Sequence, residues 1–245
     1  MTAEQLPFLC GSVLLVAFLY SCVGHAGASG YIVVMSLFSL APDVIKPTAL
    51  VLNILVASIS AWQFYRAGHF SWRLFWPFAV LAIPCAFLGG WIDLPTRVFK
   101  ILVGVVLLFS AIRFLLRPSA DDVAAAPSHP VSILLGAGLG LLAGLTGTGG
   151  GIFLTPLLLF KKWARTKQAA AISALFILVN SIAGLLGNFA ATRRFPSFAI
   201  YLAVAAIAGG IAGSYFGSRR FDHTTIKRCL AIVLFIAGAK LVFVR

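Results

Sequence analysis

The stretch GLTGTGGGIFLTP, residues 144–156, sets five glycines and a closing proline inside an almost unbroken apolar run. Glycine in a helix interior costs roughly 1 kcal/mol relative to alanine. In hydrocarbon, a backbone N–H or C=O freed by a broken helix is tolerated only where protein or a water-filled cavity satisfies it. The stretch therefore marks either close helix packing or a polar site inside a membrane.

The remainder of the chain places it in a membrane. Of 245 residues, 61% are hydrophobic and only 10% charged, where soluble domains carry about 25% charge. The mean hydropathy is +1.03. The formal charge of +13 does not point to nucleic acid as a partner, because the basic residues sit in short runs between apolar segments, as the positive-inside rule requires. Cys10, Cys22, Cys85 and Cys229 form no CxxC pair and read as buried structural thiols, with no metal expected. The first apolar run lacks a basic flank and follows Glu4, so it is expected to be a retained membrane segment and not a cleaved leader.

Apolar segments cover about 6–23, 30–41, 48–65, 74–92 and 98–116. The linker-like RPSADDVAAAPSHP follows at 117–130, and five more segments cover about 131–146, 150–160, 168–190, 197–217 and 225–244. The second and seventh segments are too short to cross a bilayer, which takes about 20 residues. Short interrupted segments at matching places in two halves indicate an internal repeat with a binding site between them. Gly24, Gly27, Gly30 and Ile32 match Gly144, Gly147, Gly150 and Ile152 without a gap, and Asn53 matches Asn180. An odd number of segments per half inverts the second half relative to the first. The expected fold is thus all-α and polytopic, with two inverted five-segment repeats broken at glycine-rich turns: 1–116, a cytoplasmic linker at 117–130, and 131–245. Twelve Lys and Arg on one face against seven on the other put both termini outside the cell and the chain in the inner (plasma) membrane.

The breaks carry polar side chains: His25 and Ser29 in the first, Thr146 and Thr148 in the second. Helices are expected to restart near Gly30 and Gly150. Each would offer free N–H groups and about half a positive charge, together an anion site without a fixed Lys or Arg. Asn53 and Asn180, inside long apolar segments, need partners, either a neighbouring helix or a substrate oxygen. The candidate binding set is His25, Gly27, Ser29, Gly30, Asn53, Thr146, Gly147, Thr148, Gly149, Gly150 and Asn180. No carboxylate lies in a segment centre, which disfavours a cation or proton carrier built on carboxylate relays. His25 is the one histidine near a break, either a static hydrogen-bonding residue or a titrating one. Glycine pairs at Gly89–Gly90 and Gly209–Gly210–Gly213 are expected to let helices slide closely. No nucleophile elbow, HExxH or Walker loop is present, so no enzyme activity and no cofactor are expected.

On GLTGTGGGIFLTPLLL (144–159), its shorter echo GHAGASGYIVVMSLF (24–38) and the two Asn-bearing segments, the chain resembles the TauE/SafE family of sulfite exporters, also called the toluene-sulfonate uptake permease family. The resemblance implies two homologous halves and transport, without ATP, of a sulfur oxyanion or organosulfonate. The chain departs from the pattern at His25, Ala28, Ser29 and Tyr31, and has no proline at 34–36 opposite Pro156. The expected function is secondary transport of a small sulfur-containing anion by alternating access. The expected partners are that anion and the lipid bilayer, with a coupling proton or ion and a homodimer left open. An anion channel on the same scaffold and a non-transporting membrane assembly component are the alternatives.

Overall fold

The computed structural model describes residues 5–40, 42–92, 127–192 and 199–222, together with 108, 111, 112, 224–229, 231, 232, 235 and 239. The segment expected at 98–116, most of the linker at 117–130 and much of the segment at 225–244 lie outside the described residues.

Beside helical residues at 108, 111, 112, 224–229, 231, 232, 235 and 239, the described residues form eight longer α-helices and no strand. They are α1 Gln5–Cys22, α2 Ala28–Leu37, α3 Pro42–Arg66, α4 Trp72–Trp91, α5 His129–Thr146, α6 Gly151–Phe160, α7 Thr166–Thr192 and α8 Ala199–Tyr215, the last running on into a π-helical turn at Phe216–Arg220. Five of these, α1, α3 (from Val44), α4, α5 and α7, are long and apolar enough to cross a membrane. α2 and α6 have 10 residues each. At 1.5 Å per residue they extend about 15 Å, half of a ~30 Å hydrocarbon core.

Backbone conformation explains why two helices stop short. Gly24 and Gly27 between α1 and α2 have φ of 75° and 101°. Gly147, Gly149 and Gly150 between α5 and α6 have φ of 70°, 75° and 81°. This left-handed region sets a Cβ against the following carbonyl, so glycine is the residue that enters it freely. Gly24 follows the end of α1 as Gly147 follows that of α5, and Gly27 precedes α2 as Gly150 precedes α6, whereas the sequence pairing set Gly24 beside Gly144 and Gly27 beside Gly147. Gly30 and Gly144 are helical instead: a Cβ on Gly144 would meet the Ala86 carbonyl, and one on Gly30 would meet Val16. The helices restart at Ala28 and Gly151, close to the expected Gly30 and Gly150.

The long helices pair crosswise. α1 packs on α8, and α5 on α4, while α3 and α7 cross at the centre. On α5, Gly136, Gly140 and Gly144 lie one turn apart and face the backbone carbonyls of Phe78, Ala82 and Ala86 on α4. On the other side Gly209, Gly213 and Gly217 face the carbonyls of Leu14, Phe18 and Cys22. A Cβ at any of these six would run into backbone oxygen. Between apolar helices in lipid there is no hydrophobic drive to associate, so small residues that admit close backbone approach supply the contact. The glycines expected to permit sliding, Gly89, Gly90, Gly209 and Gly213, all lie at such close contacts; Gly210 faces only the side chain of Val56.

One polar tie closes the ends of the bundle. His69 Nε2, between α3 and α4, donates to the Ser218 carbonyl of the π-turn at 3.1 Å, and Lys167 Nζ donates to the same oxygen at 3.3 Å. Burial holds the His69 imidazole below its ordinary pKa; the Ser218 carbonyl opposes that shift and the Lys167 ammonium adds to it.

Candidate functional site

The two breaks meet at the centre of the bundle, and Asn53 of α3 joins them. Its Oδ1 accepts from the Ala28 N–H at 3.0 Å, one of the donors that the first turn of α2 leaves without an intrahelical partner. Its Nδ2 donates to the Thr148 carbonyl in the second break and to Ser181 Oγ of α7, both at 3.3 Å. Asn53 is fully buried. Gly149 explains how it reaches: a Cβ there would lie 2.8 Å from Ser181 Oγ and 3.0 Å from Asn53 Nδ2.

A second chain of bonds runs from the first break to α6 and α7. His25 Nε2 and Thr155 Oγ1 of α6 are 2.8 Å apart, and Thr155 Oγ1 donates to Ser173 Oγ of α7 at 2.6 Å. With the Thr155 proton so committed, His25 Nε2 is the donor in its own bond. His25, Thr155 and Ser173 are all buried. Two side-chain paths therefore leave the first break, one through Asn53 to the second break and one through His25 to α6 and α7.

The other expected site residues take different places. Thr146 Oγ1 donates back to the Leu142 carbonyl at 2.7 Å, so in its 2.7 Å contact with Thr148 Oγ1 the donor is Thr148. Ser29 pairs with the Tyr20 hydroxyl of α1 at 2.9 Å, and Gly30 packs on Val16, so both turn toward α1 and away from the second break. Gly27 covers the ring of Tyr31, whose buried hydroxyl has no hydrogen bond. Gly150 lies against Phe176 and Ala143. Asn180 Nδ2 donates to the Phe176 carbonyl one turn back at 2.9 Å, and its buried Oδ1 has no partner.

Ala28, Lys46, Thr155, Ser173 and Ser181 stand outside the candidate binding set. Thr155 and Ala28 were hidden because their contacts cross from one half or helix to another. Lys46 was counted as a loop charge, yet α3 begins at Pro42 and carries it into the bundle. A Cβ on Gly147 would lie 3.1 Å from Lys46 Cγ, which puts a cationic side chain on the second break. The signal available was Pro42, since proline is favoured in a helix's first turn.

The central cluster is closed, with Asn53 and Asn180 fully buried, His25 at 2% exposure and Thr148 at 9%. Two cavities of about 230 Å³ each lie elsewhere. One is lined by the aromatic side chains Trp62, Tyr65, Phe70 and Trp72 with Leu175 and Leu178; the other includes Arg73, His129, Trp163 and Gln168.

Comparison with known proteins adds to this geometry. A probable membrane transporter protein of Sinorhizobium fredii is 41% identical over 93% of this chain and 94% of its own. One of Haemophilus influenzae is 25% identical over 91% and 93%, and one of Methanocaldococcus jannaschii 27% identical over 62% and 60%. No solved structure matches the chain. The model of the sulfite exporter TauE/SafE family matches residues 9–241. With that match, and with five helices long and apolar enough to cross a bilayer, the chain is a multi-pass membrane transporter and belongs to the TauE/SafE family.

Proposed function

We propose that the protein is a secondary transporter that moves a small sulfur-containing anion, a sulfur oxyanion or an organosulfonate, across the inner membrane by alternating access between two inverted repeats. The observation that carries this reading is Asn53, one buried amide bonded to the N-terminus of α2 and to the opposite break. Its carbonyl oxygen occupies the place where an anion's oxygen would meet the Ala28 N–H. An arriving oxyanion competes for that donor, because a charged acceptor makes the stronger bond with an N–H at a helix start. Displacing Asn53 releases its hold on Thr148 and so loosens one half from the other. The closed cluster is then the occluded resting arrangement. The crosswise pairing of α1 with α8 and α4 with α5, and the matched lengths of α1 and α5 and of α2 and α6, support two related halves.

Counterflow of isotope-labelled sulfite in proteoliposomes tests the reading. Saturable uptake, accelerated by sulfite preloaded inside and lost in Asn180→Ala with the protein still folded, is the expected result. Single-channel currents without counterflow would replace the carrier with a channel. Absence of any sulfite or sulfonate flux would leave the breaks as packing devices.

A further inference from the structure

The second break combines a charge, a pair of oriented hydroxyls and an unused acceptor. Lys46 Cγ borders Gly147, with two methylenes and the ammonium beyond it. Thr148 Oγ1 spends its proton on Thr146, so it faces its surroundings with lone pairs only. Asn180 Oδ1 is the second acceptor. The orientation of its amide follows from the Phe176 carbonyl, which takes a donor and not another oxygen. Asn180 is fully buried and Oδ1 has no hydrogen bond. Its direction can be read from its helix face: Phe176, one turn before, touches Gly150, and Gly184, one turn after, touches Gly144. Asn180 therefore looks onto the turn those glycines enclose.

A bare anion would meet the cation there and also two acceptor oxygens that repel it. An anion bearing its own O–H or N–H keeps the cation and gives the unused acceptor its donor. Resting on the transport reading above, we propose that the second break selects monoanions that carry a hydrogen-bond donor, with Lys46 as partner of the charge and Asn180 Oδ1 as acceptor of the donor. A site with a buried acceptor rejects the analogue that lacks the matching donor, because the acceptor is then left unpaired. Lys46 also lies at the C-terminal end of α5, where a cation would steady the helix dipole with no ligand at all.

Calorimetric titration of the purified protein with ethanesulfonate and with its hydroxyl-bearing counterpart, 2-hydroxyethanesulfonate, tests this. Wild type should bind the hydroxyl-bearing anion at least tenfold more tightly. Asn180→Leu should erase that ratio, with Asn180→Ala as the substitute if the leucine variant does not fold. Lys46→Gln should weaken both anions by a similar factor, and Lys46→Arg should restore them. Equal affinities in wild type, or a ratio that survives loss of Asn180, would overturn the donor selection. Unchanged affinities in Lys46→Gln with a lowered melting temperature would make Lys46 a helix cap only and overturn its role as charge partner. Binding of neither sulfonate by wild type, with Asn53→Ala equally inert, would remove the transport site itself. Binding of both with equal strength and sensitivity to Asn53→Ala would leave that site standing and sink only the selection.

Discussion

Removing the Asn53 amide should separate the two breaks, and the structure sets the size of the effect. In Asn53→Ala the Ala28 N–H and the Thr148 carbonyl both lose their partner in the buried centre. Each such orphan costs about 1–3 kcal/mol. Ser181 adds little, because a serine hydroxyl in a membrane helix can turn to the carbonyl one turn back. Interhelical hydrogen bonds measured in a membrane protein average about 0.6 kcal/mol, which for the three lost bonds sets a floor near 2 kcal/mol. The expected destabilisation is therefore about 2–4 kcal/mol. Asn180→Ala is the control: its single bond stays within its own helix, on a Phe176 carbonyl the helical ladder already serves, and should cost less than about 1 kcal/mol. SDS titration in mixed micelles, followed by circular dichroism, gives both values. If the two variants unfold within about 0.5 kcal/mol of each other, Asn53 is no latch.

Further outcomes follow from packing and titration. Gly140→Leu should destabilise by about 1–3 kcal/mol or block folding, since its Cβ meets the Ala82 carbonyl, whereas Gly138→Ala, with open space around it, should be neutral or slightly stabilising in the same titration. His69 has a lowered folded pKa, so its neutral form is the one the fold favours. Stability from this group is present above the unfolded value of about 6.5 and falls away as pH drops through the folded value. His69→Gln should flatten the loss of melting temperature on acidification below that point, and an unchanged slope would discount the burial of His69 as its cause.

Much of the architecture was legible because two physical limits write themselves into composition. Hydrocarbon excludes charge, so segment ends fall at basic residues: α4 and α7 lie within two residues of their expected bounds. Left-handed backbone excludes side chains, so the breaks fall on glycine. Which glycines turn and which pack was not legible. Glycine also serves close packing, and Gly144 and Gly30, which pack, look the same in sequence as Gly147 and Gly27, which turn. The candidate set named Asn53 and Thr148 as members, but not the bond between them, since the partners are 95 residues apart. Lys46 escaped for a related reason: a lysine beside two prolines reads as loop until the helix it belongs to is seen to start four residues earlier, at Pro42.

The crosswise pairing has a consequence for biogenesis. α1 leaves the ribosome before α8, yet the surface that covers it belongs to α8, which begins at Ala199. Until α8 arrives, Leu14, Phe18 and Cys22 present their backbone to lipid or to whatever insertion machinery shelters them. The contact face of α1 therefore stays uncovered until α8 has been made, and the helices between them are not a finished unit without it.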